Sequence, residues 1–273
     1  MSTIKPFLKW AGGKFRLLER ILPELAGAGR YVEPFAGSAA VYLNTAAPEA
    51  VVNDVNADLI ALYSHIQAEG EAFMAYAATF FTPKTNTEAA FYELRARFNA
   101  ATAPRERAAL LLYLNKHAYN GLIRYNARGG YNVPFGRYKA PQFPRDDMRR
   151  FWERTRQGHT VFTCRDFREV FAGVRAGDVV YCDPPYAPLS ATANFTSYAG
   201  NVFGPKDQEE LASLARRAYS QGATVVLSNH DTPQIRALYA GADILAFDVQ
   251  RFISCKGQAR GRAPELLAVY RAV

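Results

Sequence analysis

Cysteine is scarce in this chain. Cys164, Cys182 and Cys255 are the only three among 273 residues, and no two stand in Cys-x-x-Cys spacing. That number and scatter exclude a disulfide frame and a zinc site, and fit reduced thiols in a cytoplasmic protein. The four histidines are also dispersed, so no metal centre is expected. Long apolar runs are missing as well. Stretches such as "AALLLYL" fall far short of the roughly 20 residues that cross a bilayer. The N-terminus lacks an apolar secretory segment with a cleavage site. Low-complexity tracts are absent too, and the 49% of hydrophobic residues suffices for a substantial core. The length suits one large domain, or a core domain carrying an insertion.

Acidic residues are rare in one particular place. Between Arg105 and Arg150 ten Lys or Arg face three acids (Glu106, Asp146 and Asp147), a surplus of 10 − 3 = +7 within a chain of net charge +8. A basic surplus so localised is the electrostatic footprint expected for a polyanion such as nucleic acid.

Short β-rich runs recur along the chain: "RYVE", "AVVND", "TVFTC", "DVVYC", "TVVLS", "ILAFDV" and "ELLAVY". Helical patterns lie between most of them, including "SAAVYLNTA", "DQEELASLARRAYSQG" and "TPQIRALYAG". This alternation predicts an α/β fold with a mostly parallel sheet. It breaks between about Ala57 and Pro144, where three or four helices are expected, followed by "YNGLIRYNARGGYNVPFGRYKAP". The Gly-Gly between tyrosines in that stretch predicts a β-hairpin. The organisation read from the sequence is therefore a discontinuous core, residues 1–56 and 145–273, interrupted by a helical, basic insertion over residues 57–144.

Three stretches carry chemistry. In "YVEPFAGSAAVYLN" a strand ends at Glu33, a small-residue turn follows, and a helix is expected from about Ser38. Such turns let the backbone approach a nucleotide-like ligand at a strand's carboxyl end. Asp54 follows Gly37 by seventeen residues, ending the next strand, where an acid accepts hydrogen bonds from ribose hydroxyls. In "DVVYCDPPYAP" an apolar strand delivers Asp183 to its carboxyl end, and two prolines fix the turn before Tyr186. At roughly 5% usage per residue type, a given tetrapeptide arises by chance in about one chain of this length in several hundred. Carbonyls and a carboxylate then dominate the polar surface beside an aromatic ring. An exocyclic amine on a flat heterocycle suits that surface. In "SNHDT", adjacent His230 and Asp231 lack a nucleophile elbow. Asp231 or Thr232 is better read as the N-cap of a helix with Pro233 in its first turn.

"FLKWAGGK" poses a separate question. Gly-Gly-Lys ahead of a helical pattern suggests a phosphate cradle, but a phosphate loop needs glycine where Leu8 stands and Ser or Thr where Phe15 stands. That reading fails.

Together, "FLKWAGGK", "VEPFAGSAAVYLN", "NDVN", "YNGLIRYN", "NVPFGRYK", "VVYCDPPYAPLSATANFT" and "SNHDT" resemble the Dam-type DNA adenine methyltransferases, in order, from about Phe7 to Tyr270. The resemblance implies a Rossmann-like methyltransferase sheet with an inserted helical target-recognition domain carrying the hairpin. It implies methyl transfer from S-adenosylmethionine, without metal, to the N6 amine of a flipped adenine within GATC in double-stranded DNA, by a protein that is monomeric. Asp183, Pro184 and Tyr186 are the implied catalytic residues. Trp10, Lys14, Glu33, Phe35, Gly37, Asp54, Asp166, Phe167 and Asp183 are implied in the cofactor pocket. Lys9, Tyr119, Asn120, Leu122, Arg124, Pro134, Arg137 and Lys139 are implied at the DNA. Alternatives are a methyltransferase acting on RNA adenine or protein glutamine, or a catalytically silent DNA-binding module. One departure stands out: Ala39 occupies the place of the family's second turn glycine, and a normal helical φ is expected for it. The loop "SCKGQARGRAPE" is also less standard, and Lys256, Arg260 and Arg262 receive no role.

Overall fold

The computed structural model describes residues 3–186, 203–250 and 262–272. Cys255, Lys256, Arg260 and the segment 187–202 that continues the Asp-Pro-Pro-Tyr stretch lie outside them. In chain order the elements are α1 (Leu18–Ile21), β1 (Arg30–Glu33), β2 (Glu49–Asn53), α2 (Ala57–Glu69), α3 (Glu71–Ala78), α4 (Glu88–Ala100) and α5 (Pro104–His117). They continue with α6 (Arg145–Arg156), β3 (His159–Thr163), α7 (Phe167–Ala172), β4 (Asp178–Cys182), α8 (Pro205–Ser220), β5 (Thr224–His230), α9 (Pro233–Leu238), β6 (Asp243–Gln250) and β7 (Arg262–Tyr270).

All seven expected strands form, in one sheet of order β3-β2-β1-β4-β5-β7-β6. Pairings from β3 to β5 are parallel, and β7 runs antiparallel to both neighbours. Every residue of β4, "DVVYC", is buried, as expected for a parallel strand covered on both faces. Its side chains alternate between two cores. Val179 and Tyr181 join the larger one, and Val180 and Cys182 join the smaller one beneath α7, α8 and α9. The larger core runs without a break from the sheet into α2–α5. This is an α/β, Rossmann-like fold.

The helices of the insertion are held to one another by more than apolar contact. Asp58, at the start of α2, accepts a short ion-paired hydrogen bond from Arg107 of α5 and a 2.6 Å bond from the Tyr125 hydroxyl. The hairpin expected near Gly129 is present as a single antiparallel bridge, Tyr125 to Tyr131. Asn126 N donates to the Gly130 carbonyl at 2.8 Å and Asn132 N to that of Arg124 at 3.1 Å. The Asn126 side chain closes the turn by accepting from the N–H groups of Arg128 and Gly130.

Two expectations are corrected in the first βα turn. No regular helix begins at Ser38, since only a 3-10 turn forms, at Tyr42–Asn44. Ala39 has φ of 56° instead of a helical value. The two findings have one cause. Gly37 is also left-handed, at φ 48°, and Ala39 N donates to the Ala36 carbonyl at 2.7 Å. The chain therefore closes a tight turn where a helix would otherwise start. A left-handed alanine costs about 1–2 kcal/mol, offset by burial, since Ala39 is 0% exposed.

Gly70 joins α2 to α3 with φ of 53°, and a Cβ there would sit 2.4 Å from the Trp152 ring of α6. Gly70→Ala adds a left-handed penalty to overpacking, and should cost roughly 2–4 kcal/mol of stability in urea denaturation. A change below about 0.5 kcal/mol would show that α2, α3 and α6 adjust freely around this joint.

Candidate active site and DNA-facing surface

Strand order reverses between β1 and β4, and in open α/β sheets the crevice beyond the strand ends at such a switch point is the place for a ligand. Glu33 ends β1 and Asp183 follows β4 on either side of it. Asp183 Oδ1 is engaged twice, by Lys14 Nζ at 2.9 Å and by the Ser228 hydroxyl at 3.0 Å. Lys14 also donates to the Gly12 carbonyl at 2.8 Å, and its ammonium lies 4.5 Å from the centre of the Tyr186 ring. Burial alone would pull the Lys14 ammonium down, but the adjacent Asp183 carboxylate outweighs it and holds the proton more tightly than usual. Burial, reinforced by the Asp183 and Glu265 charges, keeps the Tyr186 phenol protonated. The site thus presents a carboxylate beside an aromatic ring, with an N–H donor already seated on both.

Of the other acids of the crevice, Glu33 is buried and Asp54 half-buried. Glu33 is 2% exposed and its Oε2 has no hydrogen-bond partner among the described residues. Burial pushes its carboxyl well above the ordinary range, and the Asp183 and Asp54 charges act in the same direction. Burial raises Asp54 too, while main-chain N–H groups pull it back: Asn56 N donates to Oδ1 and Gly37 N to Oδ2, each at 2.9 Å. The turn that carries Gly37 is pinned by a 2.5 Å bond from the Tyr63 hydroxyl to the Gly37 carbonyl. Trp10 packs directly on Gly37, where a Cβ would lie 2.6 Å from the indole nitrogen. Phe35, Phe167 and Phe203 form an aromatic group with ring centres 5.5–5.7 Å apart. Asp166 caps α7 through Arg168 N, and its carboxylate also pairs with the Arg168 guanidinium at 3.1 Å.

Lys9 leads from this crevice to the insertion. Its main chain is gripped by buried Asn115, whose Oδ1 accepts from Lys9 N at 3.0 Å while Nδ2 donates to the carbonyls of Lys9 and Gly121, both at 2.8 Å. The Lys9 stem fills the space over Gly121, where a Cβ would meet Lys9 carbons at 2.5 Å, and its ammonium sits 4.0 Å above the Tyr138 ring. Lys9, Trp10 and Ala11 line one wall of a small crevice, with Gly121, Leu122 and Ile123 on the other. Tyr119 is 54% exposed. Asn120 beside it is left-handed at φ 54°, and Tyr119 N donates to the Pro134 carbonyl at 2.9 Å. Arg124 is exposed, and its Nε donates to Asn132 Oδ1 at 2.8 Å, leaving the two Nη groups free of hydrogen bonds among the described residues. Arg137, left-handed at φ 55°, has an exposed 3.4 Å contact with Glu88, and Lys139 is exposed.

The basic surplus counted along the sequence is smaller in three dimensions. Arg105, Arg107, Arg145 and Arg149 pair with Glu69, Asp58 and Glu71 of the preceding helices. Lys116, Arg124, Arg128 and Lys139 form no ion pair among the described residues. Burial, with the charges of Lys9 and Lys5, pulls Lys116 down to about 8 despite Asp147. Sequence reading missed Ser228, Asn115, Tyr138 and Lys116. The first two lie far along the chain from what they hold, and only the fold brings them there. Tyr138 and Lys116 stand within segments already read as DNA-facing.

Residues 10–253 match the model of the D12 class N6 adenine-specific DNA methyltransferases. The chain belongs to this family. It is 45% identical over 272 residues to a DNA adenine methylase of Serratia marcescens, covering 99% of this chain and all of that one. It is 43% identical to a DNA adenine methylase of Escherichia coli strain K12, over 99% of this chain and 97% of that one. Among solved structures, an rRNA methyltransferase of Streptomyces viridochromogenes aligns over 96% of this chain and 87% of its own, with 16% identity and a TM-score of 0.39. The methyltransferase therefore acts on adenine in DNA, with a cofactor of the S-adenosylmethionine type. RNA adenine and protein glutamine are set aside as substrates. No cluster of His, Cys, Asp and Glu suited to a metal ion occurs among the described residues, and no helix there is long and apolar enough to cross a membrane.

The residues present fit such a cofactor. Glu33 offers a buried carboxyl oxygen in want of a donor, and an incoming cationic amine would supply it and favour the ionised form. Asp54 uses one lone-pair position on each oxygen and keeps others for ribose hydroxyls. Gly37→Ala would drive a methyl into Trp10, and should weaken cofactor binding roughly tenfold or more in calorimetric titration. Unchanged affinity would remove Trp10 and the Gly37 turn from the pocket.

Proposed function

We propose that this methyltransferase modifies the adenine of GATC in double-stranded DNA after flipping it from the helix, acting as a monomer in the cytoplasm. Residues 57–144 serve as its target-recognition domain. One observation carries the reading of the catalytic centre: the Lys14 ammonium touches both Asp183 Oδ1 and the Tyr186 ring. A pocket that holds one N–H donor between a carboxylate and an aromatic face suits another, the amine of a planar base.

A stacked base cannot reach a pocket at the sheet's switch point, so it must leave the duplex. The adenine amine then takes the place of Lys14 on Asp183, with the Pro184 carbonyl as second acceptor and Tyr186 stacked on the ring. These two acceptors turn the nitrogen lone pair out of conjugation and stabilise the positive charge that develops on nitrogen. Asp183 need not be a strong base, since an alkylated nitrogen sheds its proton readily. When bound, S-adenosylmethionine supplies the electrophilic methyl carbon. Trp10, Lys14, Glu33, Phe35, Gly37, Asp54, Asp166 and Phe167, with Asp183 beside them, would hold it. Released from Asp183, Lys14 is available for its carboxylate. Asp183→Ala should abolish methyl transfer while cofactor and DNA dissociation constants stay within about tenfold. Near-wild-type turnover of labelled methyl groups would dismiss Asp183 from the chemistry.

Lys9, Asn120, Leu122, Arg124 and Pro134 face base edges or a thymine methyl, Tyr119 wedges into the gap left by the adenine, and Arg137 and Lys139 meet phosphates. Asn132 holds Arg124 by Nε, which frees its fork for the two acceptors of a guanine. A bidentate pair of that kind discriminates by roughly 1–3 kcal/mol. Arg124→Ala should therefore bring the rate on a duplex altered at one outer G·C pair close to that on GATC. Lys139→Ala should slow both equally and flatten the salt dependence by about one unit. Single-turnover kinetics on both duplexes at two salt concentrations separate the cases. Equal slowing by Arg124→Ala would make it a phosphate contact.

A further inference from the structure

Tyr186 follows two prolines, and neither can donate a main-chain hydrogen bond. Among the described residues the turn is tied down where Gln208 Nε2 of α8 donates to the Pro185 carbonyl at 2.8 Å. That bond fixes the main chain one residue before the ring and leaves the ring itself to be held by something else. Its hydroxyl donates to Glu265 Oε2 at 3.1 Å. The edge of the His230 ring packs against it with centres 4.7 Å apart and planes at 78°. Glu265 and His230 are directly opposed across the antiparallel β5–β7 pairing, and both are buried, at 8% and 7% exposure. A register shift of one residue along β7 would send Glu265 to the other face of the sheet. The placement therefore depends on the strand pairing and not on the Asp-Pro-Pro-Tyr stretch.

We propose that Glu265 is a positioning residue for methyl transfer: with His230 as a wall, it locks the Tyr186 ring at the angle needed to stack on the flipped adenine. The inference rests on the reading of Tyr186 as the stacking platform. It assigns a role to the cross-strand pair that the sequence motifs do not suggest. Glu265 touches neither base nor reacting atoms, so it acts on the ordering of the reactive complex and not on binding. Its loss should lower the single-turnover rate while leaving the Michaelis constant for S-adenosylmethionine and the dissociation constant for DNA nearly unchanged. A glutamine at this position still offers an oxygen to the tyrosine hydroxyl and should restore the rate.

The test is a double-mutant cycle in the full-length enzyme on a GATC duplex, read by single-turnover methylation. Glu265→Ala and Tyr186→Phe each remove the same bond, and each should be roughly tenfold slower, with the double variant no slower than the worse single. Glu265→Gln should stay within about threefold of wild type. Multiplied effects in the double variant, or a wild-type rate for Glu265→Ala, would overturn the proposal. Should Glu265→Ala fail to fold, Tyr186→Phe and Glu265→Gln decide. A slow Tyr186→Phe beside a near-normal Glu265→Gln supports the assignment, and a wild-type rate for Tyr186→Phe overturns it. Tyr186→Ala is the control on the underlying reading: a near-normal rate there would reject Tyr186 as the platform, whatever Glu265 does.

Discussion

One buried side-chain amide sets the relation between the two halves of the site. Asn115, at 0% exposure, spends both its oxygen and its nitrogen on main-chain groups of Lys9 and Gly121. Lys9 precedes Trp10, which covers the first βα turn, and Gly121 follows Tyr119 and Asn120. The amide therefore fixes the distance from the segment that packs on the first βα turn to the 119–121 loop. It does so inside the protein, where an unmet amide would cost several kcal/mol and slippage is correspondingly unfavourable. Glycine at 121 is part of the same constraint, because the Lys9 stem occupies the space of a side chain.

Around that joint the charges are segregated. Glu33, Asp54 and Asp183 converge on the switch point, where burial raises the first two. Lys5 and Lys9 lie near enough to Lys116 for their charges to pull its ammonium down. Lys14 pairs with Asp183 at 2.9 Å. Acids on α2, α3 and α4 pair with several arginines of α5, α6 and the 124–139 stretch, while Lys84, Arg95, Lys116, Arg124, Arg128 and Lys139 form no ion pair among the described residues. The result is a narrower basic surface than the linear charge count implies.

The strands were legible because each is a short apolar run bounded by polar or turn residues, and burial on both faces leaves little ambiguity in "DVVYC". The helices α2, α4, α5 and α8 were legible as long runs of helix-forming residues with no Gly or Pro in their interiors. Helix α6 was not, since "RDDMRRFWERTR" offers few apolar residues and buries only Met148 and Phe151 among them. The misreading after Phe35 has a local origin. "SAAVYLN" has helical composition, but consecutive left-handed demands at Gly37 and Ala39 override it. In the site, residues of contiguous motifs such as Asp183, Tyr186, Gly37 and Asp54 could be read directly. Ser228, Asn115 and Glu265 could not. Each is an ordinary polar residue in an apolar stretch, and its partner lies 45, 106 and 79 positions away. Thr232 behaved as read, capping α9 through Ile235 N.

The placement of β7 has a consequence for how such a chain is made. The strand synthesised last of the seven lies between β5 and β6. As the chain emerges, β5 is left with an unsatisfied edge and β6 has no neighbour until β7 inserts between them. That half of the sheet is an exposed template for wrong pairing during synthesis. Nothing short of complete translation of β7 can close it.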